Sequence, residues 1–261
     1  MWHTKVLFIF FSTFPILISS LSCYLCDQAI IVDYLVTSET VPPFTQCQVV
    51  DAVQCLLSVT WDENINMTVI TVNTQNTSTP TVPEDIITPM ALVEIGPYGG
   101  VPFFAHNLVY SCMSSDQCNN GTILQQILRS LVLEDQFRQE FDSLIHVVYP
   151  FNPKTAACFN FHNGTGNCPP IDLDDCQRCE ISVDQMLSSA REVCATCHRN
   201  SVDVNAVIHS ATFSLNNRTR LVDHVQIGCQ LKTCNTIANI NAVYNASNIT
   251  FNFEKFFLTR V

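Results

Sequence analysis

Three C-x-x-C pairs have the clearest capacity for chemistry in this chain: Cys23 with Cys26, Cys176 with Cys179, and Cys194 with Cys197. Such a pair supports thiol–disulfide exchange when one sulfur is a low-pKa thiolate. The run Cys-Ala-Thr-Cys-His over 194–198 also matches the covalent haem-attachment pattern. Both activities need reduced thiols. Because the chain indicates an oxidising compartment (below), we favour structural disulfides and keep a redox role for the second or third pair as an alternative.

Other catalytic or metal-binding patterns are weak. The acidic run Asp172 to Asp175 lacks the central glycine and the placed glutamate of a calcium loop, and zinc would need reduced cysteines. The histidines outside the leader and the haem-like run show no metal-ligand spacing: His106, His146, His162, His209 and His224. No nucleophile elbow, HExxH or phosphate-cradling loop is present. We therefore predict a protein with no catalytic residue, no metal and no cofactor.

The N-terminus reads as a secretory signal peptide over residues 1–22. A short basic start is followed by the apolar run 6–18 and by small residues, with cleavage expected after Ser20 or Ser22. The run is too short to span a bilayer of about 30 Å as a helix. The C-terminal residues 251–261 lack the apolar tail of a lipid-anchor signal. We expect a secreted, extracellular protein with no membrane anchor.

The net charge and the glycosylation sequons also favour an extracellular protein. The net charge of −11 repels phosphate backbones and anionic membranes, so nucleic acid is an unlikely partner. Only 13% of residues are charged, against roughly 25% in ordinary domains, so another solubilising group is expected. Seven N-x-Ser/Thr sequons supply candidates for glycosylation, of which we expect at least three to carry sugar. They are Asn66, Asn76, Asn120, Asn163, Asn217, Asn245 and Asn248.

Fourteen cysteines form an even set that predicts up to seven disulfides in an exported chain. One bridge contributes typically about 2–4 kcal/mol, whereas a whole domain is stable by about 5–15 kcal/mol. The bridges therefore decide whether the chain stays folded. The cysteines are Cys23, Cys26, Cys47, Cys55, Cys112, Cys118, Cys158, Cys168, Cys176, Cys179, Cys194, Cys197, Cys229 and Cys234. Cys158 and Cys168 stand ahead of the second C-x-x-C and are expected to close a small loop.

The cysteine spacing repeats. Each of two sets opens with C-x2-C, carries two middle cysteines and closes with C-x5-C-N at Asn119 or C-x4-C-N at Asn235. This arrangement resembles the three-finger family of the urokinase-receptor and lymphocyte-antigen-six type, in which the terminal asparagine enters the central hydrogen bonds. The family's cysteine doublet is missing here, and two of its five usual bridges have no candidates. The resemblance implies the bridges Cys23–Cys55, Cys26–Cys47, Cys112–Cys118, Cys176–Cys197, Cys179–Cys194 and Cys229–Cys234.

The expected fold is mainly β with a linking helix, built from two small disulfide-rich three-finger-like domains. Period-two patterns and turn residues predict hairpins over 55–73 and 204–229 and a strand over 103–112, with a proline-rich exposed loop over 74–90. Helical spacing predicts a linker helix over 122–148 and a short helix over 180–193. The tail from Val243 is expected to be an edge strand or a loose end. The segments are the leader 1–22, domain 1 at 23–119, the helical linker at 120–157, a degenerate domain 2 at 158–240, and a tail at 241–261.

The resulting functional hypothesis is a secreted, non-enzymatic binding or receptor-modulating glycoprotein whose partner is an extracellular protein or receptor. Loops held on a rigid scaffold are where recognition usually sits. We expect contacts at the tip Asp62–Asn64, at the loop 74–90 and at the tip Asn216–Arg218. The alternatives are an extracellular thiol–disulfide oxidoreductase and a structural matrix or coat component.

Overall fold

The computed structural model describes residues 20–76, 84–96, 99–146, 151–164, 168, 176–187, 190–198 and 205–258. The protein is mainly β, as predicted. Among the described residues, no helix combines the length and the apolar character needed to cross a membrane. The strands are β1 Leu21–Cys26, β2 Ile30–Val32, β3 Cys47–Ala52, β4 Gln54–Asp62, β5 Met67–Gln75, β6 Ile86–Ile95, β7 Phe103–Cys112, β8 Leu131–Asp135, β9 Phe161–His162, β10 Arg178–Met186, β11 Glu192–His198, β12 Asn205–Ser214, β13 Thr219–Cys229 and β14 Ser247–Phe251. The helices are α1 Gly121–Ser130, α2 Phe137–Glu140, α3 Pro153–Ala156, α4 Ile237–Ala246 and α5 Phe253–Leu258.

Ten strands form one antiparallel sheet in the order β2-β5-β4-β7-β6-β12-β13-β10-β11-β9. Counted inward from either edge, the five strands of each half come in the same chain order: first, third, second, fifth and fourth. The N-terminal half-sheet (β5-β4-β7-β6) and the C-terminal half-sheet (β12-β13-β10-β11) are each built from one cysteine repeat, and they meet edge to edge. Pairing of β6 with β12 removes two exposed sheet edges, which are otherwise sites of aggregation. The two repeats are therefore joined by a continuous backbone ladder.

The β6–β12 ladder explains why a strand formed where the sequence predicted a loop. Met90 lies opposite Ser210 near the centre of the junction, and the pairing is interrupted between that pair and Phe213 with Ile87. Pro89 lies inside the interruption. Proline has no N–H to donate, so it is tolerated in a strand at such a break. Of the predicted loop 74–90, residues 74–75 and 86–90 are strand and 77–83 lie outside the described residues.

Each half-sheet is followed by the same helix–strand pair, and these pairs cover one face of the sheet. Asn120 caps α1 by accepting from the Ile123 amide, and Thr236 caps α4 by accepting from the Asn239 amide. The strands that follow, β8 and β14, pair with each other in an antiparallel ribbon. In this covering layer, a strand of one repeat therefore pairs with the equivalent strand of the other, as β6 pairs with β12 in the sheet.

The core consists of two apolar clusters between the sheet and this layer. The first gathers residues of β4, β5 and β7 with Leu124 and Ile127 of α1, and it also takes Phe256 from α5 at the other end of the chain. The second gathers residues of β10 to β13 with Ile240 of α4, and it takes Phe137 from α2. Each repeat therefore sends its last helix onto the other repeat's cluster, which ties the two halves together.

One helix prediction was correct only in part, and another was wrong. The predicted helix over 122–148 ends at Ser130, and residues 131–135 form β8, because Leu131 and Leu133 point into the core with period two. The predicted helix over 180–193 is part of the β10–β11 hairpin. There Ile181 and Val183 are buried on one face, and the polar residues between them lie on the other. The predicted hairpins over 55–73 and 204–229 and the strand over 103–112 are confirmed. The tail from Val243 continues α4 and then forms β14 and α5.

Candidate functional site

All fourteen cysteines are paired. Five bridges agree with the pairing that the resemblance implies: Cys23–Cys55, Cys26–Cys47, Cys112–Cys118, Cys176–Cys197 and Cys229–Cys234. The other two are Cys158–Cys179 and Cys168–Cys194. The expected bridge Cys179–Cys194 and the expected small loop between Cys158 and Cys168 are therefore wrong.

The strand register explains why Cys179 does not bond to Cys194. On β10 and β11, Cys179 lies opposite Cys197, whereas Cys194 lies opposite Ser182, three residues further along. Successive side chains on a strand point to opposite faces, so Cys179 faces the core and Cys194 faces away from it. Two such sulfurs cannot meet without moving the backbone. Cys158 reaches Cys179 instead, as Cys23 reaches Cys55 in the first repeat.

Asn119 has no exposed surface and holds three segments of the first repeat together. Its side-chain oxygen accepts from the Tyr24 amide at 2.9 Å. Its amide nitrogen donates to the carbonyls of Tyr24, Leu56 and Asn73 at 2.8, 3.1 and 3.2 Å. The side chain thus joins backbone groups of β1, β4 and β5 through four hydrogen bonds.

Asn235 repeats this arrangement in the second half and is equally buried. It accepts from the Phe159 amide at 2.9 Å and donates to the carbonyls of Phe159, Glu180 and Thr196 at 3.0 to 3.4 Å. Phe159 follows Cys158 as Tyr24 follows Cys23. The second structural repeat therefore begins at Cys158, which the C-x2-C spacing at Cys176 concealed.

None of the three C-x-x-C pairs is bonded within itself, since each of their cysteines has a distant partner. The sulfurs of Cys55, Cys112 and Cys118 lie within 4.8 Å of one another, which is the spacing of a metal site. Each of them is in a disulfide. They offer no thiolate, the form of cysteine that binds metals.

His209 forms a buried polar chain that the sequence did not indicate. Its Nε2 lies 2.8 Å from the Asp223 carboxylate, and its Nδ1 lies 2.6 Å from Ser247 Oγ. These residue types match a nucleophilic triad, but the Ser247 hydroxyl donates to the Val243 carbonyl at 2.7 Å. The Val243 carbonyl therefore competes with His209 Nδ1 for the single proton of the Ser247 hydroxyl. These side-chain contacts thus fix the point at which α4 ends and β14 begins.

Tyr244 and two arginines complete this cluster. The Tyr244 ring packs edge-on against His209, and the Arg191 guanidinium lies 5.2 Å above the same ring. Arg220 is 2.8 Å from the Asp223 carboxylate. Burial, and next the Asp223 charge, raise the pKa of the Tyr244 phenol, while the two arginines oppose that rise. The residues concerned are separated by up to 56 positions, so no local spacing could have revealed them.

A second polar network lies in the first half. His106 faces two carboxylates, with Nδ1 at 3.3 Å from Glu63 and Nε2 in contact with Asp135. Because the carboxylates lie on opposite ring nitrogens, they cannot converge with the imidazole on one metal ion. Arg138 lies 4.0 Å from Glu63, so this network contains two carboxylates, one guanidinium and one imidazole.

The other face of the sheet is the candidate binding surface. We call it the uncovered face; it consists of the side chains of the ten-stranded sheet that point away from α1, α4 and the β8–β14 ribbon. Neither apolar cluster contains a side chain from this face of β4 to β7, β12 or β13. Its central strands nevertheless carry apolar residues that are at least partly exposed: Leu56, Val69, Ile86, Met90, Leu92, Val109, Ile208 and Val222. Val109 is 46% exposed.

The uncovered face becomes acidic toward the C-terminal half-sheet. Glu180, Asp184 and Glu192 line a depression of about 210 Å³ there. Glu180 contacts Arg178 at 2.7 Å, and Asp184 contacts His224 at 2.6 Å. Glu94 on β6, three strands away from Glu180 across the sheet, is a further carboxylate of this face, and burial raises its pKa above the ordinary value. The face therefore runs from apolar at its centre to acidic at one end.

The sequons lie away from the uncovered face of the central strands. Asn66 and Asn217 are in the turns that follow β4 and β12, Asn76 follows β5, and Asn163 follows β9. Asn245 and Asn248 are on the covering layer. These six side chains are exposed, whereas Asn120 is partly buried. Both atoms of the side-chain amide are hydrogen-bonded in Asn120 and in Asn163.

The predicted contact tips do not form one surface. The tip Asp62–Asn64 lies beside the end of the β6–β7 connection, because Asn64 donates to the Pro102 carbonyl at 2.7 Å. The tip Asn216–Arg218 lies at the other end of β6, where Asn216 accepts from the Asp85 amide at 2.7 Å. The tips are thus separated by the length of a ten-residue strand, about 33 Å.

Besides residues 77–83, most of the leader, at 1–19, and the acidic run Asp172 to Asp175 lie outside the described residues. Comparison with known proteins gives no significant match to a family model, a curated protein or a solved structure. The functional argument therefore stands on the geometry above.

Proposed function

We propose that this chain is a secreted, non-enzymatic binding glycoprotein built from two divergent three-finger-like repeats, and that it binds an extracellular protein through the uncovered face. The observation that carries the proposal is the position of the sequons. Six exposed sequons surround this face or lie behind it, and none lies on its central strands. Glycans at those positions would keep the other surfaces in water while leaving this one free for contact.

The chemistry of the face indicates the character of the partner. Exposed apolar side chains at the centre of a patch with polar margins are typical of protein–protein contact. The carboxylates at one end favour a partner with lysine or arginine at the matching position, which would steer association. The partner is therefore expected to present an apolar patch beside a basic one.

The disulfides support a scaffold more than they support the oxidoreductase alternative. In a thiol–disulfide oxidoreductase the two cysteines of one C-x-x-C exchange electrons with a substrate. Here every such cysteine crosslinks separate segments of the fold. Opening one of them for exchange would release a structural crosslink.

A glycan wedge tests the proposal. Val109→Asn creates a sequon with Ser111 on the uncovered face, and a sugar there would block contact. The matched control is Val109→Asn with Ser111→Ala, which has the same asparagine but no sequon. Labelled full-length proteins from a secretory cell line are titrated onto intact cells of the source organism. We expect saturable binding by the wild type and the control, and its loss in the glycosylated variant.

Two results would contradict the proposal. Equal binding by the glycosylated variant, with the added sugar verified by mass, would exclude the uncovered face as the contact surface. Turnover of insulin disulfides by the wild-type protein would favour the oxidoreductase instead.

A further inference from the structure

A cleft beside Trp61, on the covered side of the sheet, is separate from the proposed binding surface. It has a volume of about 320 Å³, which is at the lower end for small-molecule sites. We call it the Trp61 cleft; it is lined by Leu35, Val36, Thr37, Ser38, Trp61, His106, Leu128, Leu131 and Leu133. Apolar side chains thus form most of its wall, with two hydroxyls and one imidazole at its margin.

The outer wall of the cleft is fixed by buried hydrogen bonds. Trp61 donates through its indole N–H to the Val36 carbonyl at 2.8 Å. Thr68, which has no exposed surface, donates to the Tyr34 carbonyl at 2.7 Å and accepts from the Val36 amide at 3.0 Å. These bonds fix the segment 34–36 to Trp61 of β4 and Thr68 of β5. The cleft is therefore a pre-formed feature of the fold, as ligand sites usually are.

The second repeat provides an internal comparison. Counting from the terminal asparagines, Tyr244 stands where Leu128 stands, and Ser247 stands where Leu131 stands. Counting back from Cys112 and Cys229, Asp223 corresponds to His106. In the second half these positions form the polar cluster in which Tyr244 packs against His209 and beneath Arg191. The fold that the two repeats share therefore does not require an apolar cleft. Leucines occupy these helix and strand positions in the first repeat, and Tyr244 and Ser247 occupy them in the second.

We infer that the Trp61 cleft binds a small, largely apolar molecule that carries no negative charge. The charge condition follows from the carboxylates at the margin of the cleft. Glu63 and Asp135 flank His106, Arg138 approaches Glu63, and Glu39 accepts hydrogen bonds from the Thr37 and Ser38 hydroxyls, so an anionic ligand would be repelled. Those two hydroxyl oxygens can accept a hydrogen bond from one polar group of the ligand, while the leucines cover its apolar part.

Contact quenching of Trp61 tests this inference, with 1-bromonaphthalene as the probe. Bromine quenches indole fluorescence on contact, and Trp61 is the sole tryptophan in a full-length Trp2→Phe background. We expect saturable quenching. Leu128→Tyr introduces the side chain that the fold already accommodates at Tyr244, fills the cleft, and is expected to weaken the probe's affinity at least tenfold. The control, Val132→Phe, changes the neighbouring exposed side chain of β8 and should leave affinity unchanged.

Each outcome decides the question. Loss of affinity in Leu128→Tyr with retention in Val132→Phe supports the site. Unchanged affinity in a folded Leu128→Tyr protein, or linear quenching without saturation in the parent, overturns it. If Leu128→Tyr fails to fold, competition in the parent decides: naphthalene, which lacks bromine, must restore Trp61 fluorescence for the site to stand.

Discussion

Replacing Asn119 by alanine tests the central architecture most directly. The substitution deletes four hydrogen bonds and leaves the Tyr24 amide and the carbonyls of Tyr24, Leu56 and Asn73 without that partner in a fully buried position. At about 1 kcal/mol for each backbone group, the expected loss is about 4 kcal/mol. A whole domain is stable by about 5–15 kcal/mol, so this is a large fraction of the total.

The assay is equilibrium unfolding in guanidinium chloride under non-reducing conditions. Asn235→Ala should lose a similar amount, because its four hydrogen bonds are equivalent. Asn64→Ala is the matched control. Asn64 also donates to a carbonyl and accepts from the Phe104 amide, but it is exposed, so water replaces its bonds and the loss should stay below about 1 kcal/mol.

Asn119→Asp adds a pH readout to the same position. A carboxylate there would face three carbonyl oxygens with no proton to donate, so at neutral pH the loss should exceed that of the alanine variant. Protonation at low pH restores one donor, and the loss should then shrink. The reasoning is refuted if Asn119→Ala and Asn64→Ala lose equal free energy, or if the aspartate variant shows no dependence on pH.

Three further predictions concern the bridges and the sheet. Non-reducing peptide mapping should recover Cys158–Cys179 and Cys168–Cys194; a peptide that joins Cys179 to Cys194 would contradict the strand register. Replacing both Cys26 and Cys47 by alanine opens a bridge of sequence separation 21 and should cost about 3 kcal/mol of unfolding free energy in a denaturant titration. Glu94→Gln should raise the melting temperature at neutral pH. Burial raises the pKa of Glu94 above its ordinary 4.5, so ionisation costs folding free energy above the folded-state pKa. The advantage should vanish as pH falls below 4.5, where both chain states are protonated, and a constant advantage at all pH values would show that charge is not its cause.

Local sequence patterns predicted the elements that depend on local forces. Alternating β-branched residues and turn formers predicted the hairpins over 55–73 and 204–229, because burial of one strand face needs only period two. The resemblance to three-finger proteins led to both terminal asparagines, whose burial and hydrogen bonds the structure describes. The segment 180–193 has apolar residues at both the helical and the strand spacing. Its sequence favoured a helix, but the pairing of β10 with β11 makes it a hairpin.

Composition, cysteine number and sequon positions are properties of the sequence itself, and they were enough to indicate an exported, disulfide-rich protein. The tertiary structure decided which cysteines meet, since Cys194 faces away from Cys179 only once β10 and β11 are in register. It also decided that β6 pairs with β12, that each repeat packs its last helix on the other, and that the leucines near Trp61 surround a cleft. These contacts join residues up to more than a hundred positions apart, and their free energy depends on shape and register, which no local pattern of residues encodes.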